Sequence, residues 1–163
     1  MVTITNPYSI RLGILGAGTM GRGIALAALQ QNMLVSLYDV SAEMLESARA
    51  YAAHHLARKG HEASLLHLEL TGELEALRGA GVIIEAVPEK LELKQELFAR
   101  LDALCPPPAI LATNTSTLAV TAIAAACQHP ERVAGMHFFN PAPVLPLVEV
   151  VRGAQTDPAA VDS

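Results

Sequence analysis

The stretch "LGILGAGTMGRGIALAAL" (residues 12–29) decides how the rest of the chain is read. It is a short apolar run, three glycines spaced G-x-G-x-x-G, and a second apolar run. Between a strand and a helix, each glycine has a physical purpose. Gly16 permits a tight turn, Gly18 keeps a Cβ out of the path of a pyrophosphate, and Gly21 lets helix and strand pack closely. Unpaired N–H groups and the dipole at the helix start then attract phosphate charge. The same residues also read as a glycine-rich turn with no ligand, so the decision rests on what surrounds them.

What surrounds them is a regular alternation of elements. Ile10 to Leu15 reads as a strand, and Thr19 to Gln31 as a helix with Ile24, Ala27, Ala28 and Gln31 on one side. "LVSLYD" (34–39) alternates as a strand does. Ser41 is placed to cap a helix whose Leu45, Ala48, Ala52 and Leu56 recur at helical spacing, ended by Lys59 and Gly60. Residues 61–81 read as short helical pieces around a strand near Leu68 to Thr71. "VIIEAV" (82–87) is a strand stopped by Pro88. "KLELKQELFARLDALC" (90–105) is an amphipathic helix with a Leu93, Leu97, Leu101 and Leu104 stripe, ended by Pro106 to Pro108. "AILATN" (109–114) is a strand, and "TLAVTAIAAAC" (117–127) a helix that Ser116 or Thr117 would cap. "RVAGMHFF" (132–139) and "LVEVV" (147–151) are strands joined by "NPAPVLP". Apolar strands alternating with helices predict an α/β, Rossmann-type doubly wound, mostly parallel sheet with helices on both faces.

Composition bounds the rest. The 163 residues are 52% hydrophobic and 17% charged, which fits one globular domain rather than a disordered chain. A net charge of −5 argues against a nucleic-acid partner. The opening "MVTITNPYSIRLG" lacks a signal-peptide layout, and no apolar run is long enough to cross a bilayer. A cytoplasmic protein with no membrane partner is the expectation. Cys105 and Cys127 read as small buried apolar residues rather than a disulfide. His54, His55, His61 and His67 have no cysteine or carboxylate spacing that would complete a metal site, so no metal is expected.

Asp39 ends the second strand, 18 residues after Gly21. A carboxylate there accepts from a ribose 2′-OH and repels a 2′-phosphate, which favours NAD over NADP. FAD, and a capping role for Asp39 near Ser41, remain open on the pattern alone. Among the histidines, His137 differs because it ends an apolar strand and precedes "NP". The C-terminal ends of parallel strands are where such folds hold ligands. Glu149 is a carboxylate between Val148 and Val150, and burying it unpaired would be costly. His137 is a natural partner, whereas the alternative puts Glu149 on the solvent side of an edge strand. Ser116 reads either as a hydrogen-bond donor to a substrate oxygen or as a helix cap. Glu85, inside "VIIEAV", is a second strand carboxylate with no histidine to pair with.

Taken in order, "GAGTMGRGIA", "IIEAVPEKLELKQELF", "LATNTSTL" and "GMHFFNPAPVLPLVEVV" resemble the N-terminal domain of 3-hydroxyacyl-CoA dehydrogenases from about residue 10 to residue 152. The resemblance implies that NAD is the cofactor and an acyl-CoA thioester the substrate. It implies reversible oxidation of an L-3-hydroxyacyl-CoA to the 3-ketoacyl-CoA, with hydride passing to the nicotinamide. His137 becomes the general base, Glu149 its partner and Ser116 the contact to the substrate oxygen. Glu89 and Lys94 line the cofactor site, Asn114 lies near the nicotinamide, and Asn140 shapes the turn after His137. The cofactor-binding set is then Gly16, Gly18, Thr19, Met20, Gly21, Asp39, Val87, Glu89, Lys94 and Asn114. Residues 1–152 form the NAD-binding domain, and residues 153–163 the shortened entry to an absent C-terminal helical domain. The full-length parent is expected to be a homodimer, and this chain alone weak or inactive. Two other readings stay in view: a dinucleotide-binding module without catalysis, and a hydrolase using Ser116, His137 and Glu149.

Overall fold

The computed structural model describes residues 10–162; most of the stretch compared with a leader, residues 1–9, lies outside them. In chain order the elements are β1 (Arg11–Leu15), α1 (Thr19–Gln30), β2 (Leu34–Tyr38), α2 (Ala42–Ala57), β3 (Leu68–Thr71), β4 (Val82–Glu85), α3 (Leu91–Leu104), β5 (Ile110–Thr113), α4 (Val120–Ala124), β6 (Val133–Phe138), β7 (Val148–Arg152) and α5 (Pro158–Asp162). Short 3-10 turns fill the connections on either side of β3. The sheet runs β3-β2-β1-β4-β5-β6-β7, parallel except for the antiparallel β6–β7 pair.

Strand alternation divides the core between the two faces. Ile14, Ile84 and Ala112 join the cluster under α1 and α2, with Ile24, Leu29, Ala48 and Leu56. Their neighbours Leu15, Ile83 and Leu111 join the cluster under α3 and α4, with Leu97, Phe98, Leu101 and Ile123. The chain crosses faces between β3 and β4, so β1 and β4 leave the sheet in opposite directions. That divergence opens a crevice at their C-terminal ends.

Three local readings change. The helix expected over 117–127 shortens to α4, with Ala119 rather than Ser116 or Thr117 at its N-cap. The reason is Thr115, whose Oγ1 accepts the N–H groups of Leu118 at 2.9 Å and Thr117 at 3.4 Å and turns the chain before the helix begins. On α3 the buried side is Lys94, Leu97, Phe98, Leu101 and Asp102, while Leu93 and Leu104 are only half-buried. β7 is exposed along its whole length.

Asp102 and Arg132 form a buried pair, with Arg132 Nη2 2.6 Å from Asp102 Oδ1. The other Asp102 oxygen accepts the N–H groups of Gln128 and His129. Burial pushes the Asp102 carboxyl up, but the Arg132 bonds and these N–H groups outweigh it and lower its pKa. After β7 the chain folds back onto the sheet: Thr156 Oγ1 donates to Val133 O at 2.6 Å, and Asp157 N to Glu131 O at 2.8 Å. Cys105 and Cys127 are both free thiols; burial raises both, and the Cys127 thiol is pushed up to about 11. Among the described residues no helix is long and apolar enough to cross a membrane, and no cluster of three metal-ligating side chains occurs.

Candidate active site

Three adjoining concavities lie along the C-terminal ends of the strands. The largest, of about 640 Å³, includes Gly16, Gly18, Thr19, Met20, Asp39 and Val87 in its lining. Gly16 sits at φ +95°, and a Cβ there would meet Ala86 O at 2.7 Å. A Cβ on Gly21 would lie 1.7 Å from Gly16 O, so only glycine lets α1 start this close to β1. Over Gly18 the opposite holds: nothing lies within 4 Å of where its Cβ would be. Gly18 is the N-cap of α1 and supplies no side-chain cap. The first intrahelical bond runs from Arg22 N to Gly18 O, which leaves the N–H groups of Thr19 and Met20 without helical acceptors.

Asp39 braces this loop. Its Oδ2 accepts from Ala17 N at 2.8 Å and its Oδ1 from Ser41 N at 2.9 Å. Ser41, as expected, is itself the cap of α2, accepting from Met44 N at 3.2 Å. Asp39 therefore ties the glycine loop to the α2 start, and each oxygen keeps a lone pair for a ribose hydroxyl. Open space over Gly18, uncapped N–H groups and a carboxylate at the end of β2 fit a dinucleotide. Residues that the sequence pattern did not single out complete the walls: Met44 from α2, and Glu96 and Arg100 from α3 alongside Leu93 and Leu97. Their signal was the side of α3 next to the core stripe.

The second concavity, of about 220 Å³, joins the first through Met20, Ala86 and Val87 and adds Glu89, Lys94, Asn114, Ser116 and Thr117. Lys94 is almost wholly buried and bridges two carboxylates. It donates to both oxygens of Glu85 at 2.8 and 2.9 Å and lies 3.0 Å from Glu89 Oε2. Glu89 accepts a short bond from Thr115 Oγ1 and longer bonds from Ser116 N and Thr117 N. Partial burial pushes the Glu89 carboxyl up. The bonds from Thr115 and Lys94, the Lys94 charge and Thr117 N–H outweigh it and hold its pKa at about 2. Asn114 Oδ1 accepts Phe138 N at 2.8 Å, which pins the end of β6 and leaves the Asn114 amide as a donor.

The third, of about 160 Å³, holds Ser116, His137 and Glu149. Antiparallel register puts His137 directly opposite Glu149. His137 Nδ1 is 3.0 Å from Glu149 Oε2, and Nε2 is 3.2 Å from Ser116 Oγ. Phe139 packs its ring 4.7 Å from the imidazole. Glu149 is not buried, since its side chain is 56% exposed, so register rather than desolvation brings it to His137. Glu85 is the fully buried carboxylate, and its partner is Lys94 rather than a histidine. The residues named for catalysis or cofactor binding all line one of the three spaces except Gly21, which lies beneath the loop, whereas Glu85 and Asn140 line none of them.

Comparison with known proteins agrees with this geometry. The family model for the 3-hydroxyacyl-CoA dehydrogenase NAD binding domain matches residues 11–163. The chain is 45% identical over 162 residues to 3-hydroxyadipyl-CoA dehydrogenase of Escherichia coli K12, covering 93% of this chain and 34% of that protein. It is 41% identical over 152 residues to a probable 3-hydroxybutyryl-CoA dehydrogenase of Bacillus subtilis, covering 88% of this chain and 53% of that protein. A crystal structure of 3-hydroxybutyryl-CoA dehydrogenase from Escherichia coli K12 superposes with a TM-score of 0.89 at 44% identity, covering 94% of this chain and 34% of that one. The chain thus spans about a third to a half of the length of these relatives. On the glycine crevice, the sheet order and the match along nearly its whole described length, this chain belongs to the NAD-binding domain family of the 3-hydroxyacyl-CoA dehydrogenases.

Proposed function

We propose that this domain serves the NAD-dependent interconversion of L-3-hydroxyacyl-CoA and 3-ketoacyl-CoA thioesters, with His137 as the general base. The observation that carries the reading is His137 held between Ser116 and Glu149, beside the recess that continues from the glycine crevice. In the proposed site Gly16, Gly18, Thr19 and Met20 receive the pyrophosphate, Gly21 lets the helix start close enough to form that loop, and Asp39 receives a ribose. Val87, Glu89, Lys94 and Asn114 receive the nicotinamide end. Bound NAD would supply the hydride acceptor.

The chain's own residues handle the proton. Glu149 at Nδ1 fixes the imidazole tautomer, so that Nε2 carries the lone pair. Nε2 takes the substrate hydroxyl proton, and Glu149 stabilises the imidazolium that results. Ser116 Oγ, 3.2 Å from Nε2, holds the substrate oxygen beside it. Its freedom to do so follows from Thr115 making the turn that Ser116 would otherwise have capped.

The same reading assigns residues 1–152 to cofactor binding and 153–163 to the approach to a helical C-terminal domain. That domain would complete the acyl pocket and make the contacts of a cytoplasmic homodimer. The exposed apolar row Val144, Leu145, Leu147, Val148, Val150 and Val151 is a suitable surface for it. The test is NADH oxidation by acetoacetyl-CoA, using the chain alone and the chain joined to the C-terminal region of the Escherichia coli relative. Each is run beside His137→Gln. The joined protein is expected to turn over, and the variant to lose about 10²–10⁴-fold. Equal rates would remove His137 from the chemistry.

The distances among Ser116, His137 and Glu149 also suit a Ser–His–Glu hydrolase. That reading leaves the glycine crevice without a purpose, and Ser116 does not lie in a G-x-S-x-G elbow. Covalent labelling of Ser116 by a serine-directed probe would favour it over the dehydrogenase.

A further inference from the structure

Glu85 stands out in the sequence as a carboxylate inside an apolar strand, and the chemistry above leaves it unused. It is 0% exposed at the end of β4. Its oxygens accept from Val87 N at 2.7 Å, Thr113 Oγ1 at 2.7 Å and Lys94 Nζ at 2.8 and 2.9 Å. Every approach to its carboxylate is thus taken by a donor. Lys94, 1% exposed, also contacts Glu89. One buried cation thus sits between two carboxylates, and the three charges sum to −1.

Neutrality does not require this arrangement. A lone Lys94–Glu89 pair would already balance, and adding the fully buried Glu85 carboxylate costs desolvation free energy. The extra charge is placed against the second concavity, where Glu89 and Lys94 are the charged lining residues and Glu85 stands directly behind Lys94.

We propose that Glu85 is a specificity-determining residue that sets this recess one negative charge away from neutral and so favours a cationic ring over a neutral one of the same shape. The inference rests on the proposed placement of the nicotinamide end there. The oxidised ring of NAD⁺ is cationic and the reduced ring of NADH is neutral, so Glu85 tilts binding toward the form that accepts hydride.

The test is isothermal titration of the 163-residue chain and its variants with NAD⁺ and with NADH, read as the ratio of the two dissociation constants. Glu85→Gln brings the cluster to neutral and is expected to weaken NAD⁺ relative to NADH on the order of tenfold, the scale of one unit charge acting across roughly 10 Å of partly buried protein. Lys94→Gln brings it to −2 and is expected to move the ratio the other way. The double variant, again at −1, is expected to return to the wild-type ratio. Opposite shifts are not the signature of a merely structural role, which weakens both dinucleotides alike. Where a single variant does not fold, the double variant is a neutral buried pair in which Glu89→Gln makes the same one-charge step. Equal weakening of both dinucleotides, or shifts in one direction for both single variants, would overturn the inference and leave the cofactor assignment standing. A wild-type chain that binds neither would overturn both.

Discussion

Substituting alanine at Gly18 and at Gly21, three residues apart, separates what the glycine loop does for the fold from what it does for a ligand. At Gly21 the new Cβ would lie 1.7 Å from Gly16 O, against the 3.0 Å that real Cβ contacts essentially never fall below. Backbone must therefore move by more than an ångström, and the obstacle is a carbonyl in a buried turn rather than a flexible side-chain tip. Overpacking of this kind costs about 3 kcal/mol or more. For a domain of this size that lowers the melting temperature by roughly 6–12 °C or prevents folding. At Gly18 the same methyl meets nothing within 4 Å, and φ −65° suits alanine. The entropy that alanine removes from the unfolded chain, which stabilises the fold, and its weaker capping preference, which destabilises it, offset each other to within about 0.5 kcal/mol. The methyl does stand where a pyrophosphate would approach the N–H groups. Losing one such charge-assisted bond, at about 1.5–3 kcal/mol, weakens binding roughly 10–100-fold. The assay is thermal unfolding paired with NADH titration of each variant. Gly18→Ala that melts with the wild type and binds NADH just as well would refute the placement of phosphate at this loop. Gly21→Ala that melts with the wild type would refute the packing argument.

Other consequences are equally open to measurement. Arg132→Met strands the buried Asp102 carboxylate, and chemical denaturation is expected to show a loss of about 3–5 kcal/mol. Ser116 is exposed and, among the described residues, its hydroxyl hydrogen-bonds to His137, so Ser116→Ala is expected to hold stability within about 0.5 kcal/mol. In the joined enzyme the same change is expected to cost activity by about tenfold to a hundredfold. Glu89 is held at about 2 when folded against an ordinary 4.5, so its contribution to stability is fully present above about pH 4.5 and fades as pH falls toward 2. With its side chain 38% exposed, that contribution is about 1 kcal/mol after solvent screening, and Glu89→Gln should flatten the acid limb of a stability–pH curve by that amount.

The sequence made the sheet legible because its strands are apolar runs bounded by glycine, proline and capping residues. His137 was legible for a related reason, since a polar side chain ending an apolar strand lies at the ligand-bearing edge. Glu149 was legible as a partner, but through an incomplete argument. Burial was to have demanded a counterpart, and yet the carboxylate is exposed and reaches His137 through β6–β7 register, which spacing alone does not supply. Glu85 carried the burial signal instead, and its partner lies nine residues on, on a different element, where a strand-by-strand reading does not look. The turn at Thr115 was missed because serine and threonine at 115–117 are interchangeable as caps by type. Only the backbone geometry selects Thr115 and leaves Ser116 free. Lys94 was marked for the cofactor site by the family resemblance alone, because the leucine spacing of its helix does not show that its ammonium is enclosed by two carboxylates.

The central claim is that one bound dinucleotide lies across the glycine crevice and ends beside Ser116, His137 and Glu149. NMR titration of the isotopically labelled chain with NADH tests it most directly. The amides of residues 16–21 and of Asp39 should shift together with those of Asn114 and Ser116 and the His137 imidazole, all following a single dissociation constant. Shifts that leave Asn114, Ser116 and His137 unmoved while the glycine loop saturates would contradict the claim, separating the cofactor from the residues assigned to its chemistry.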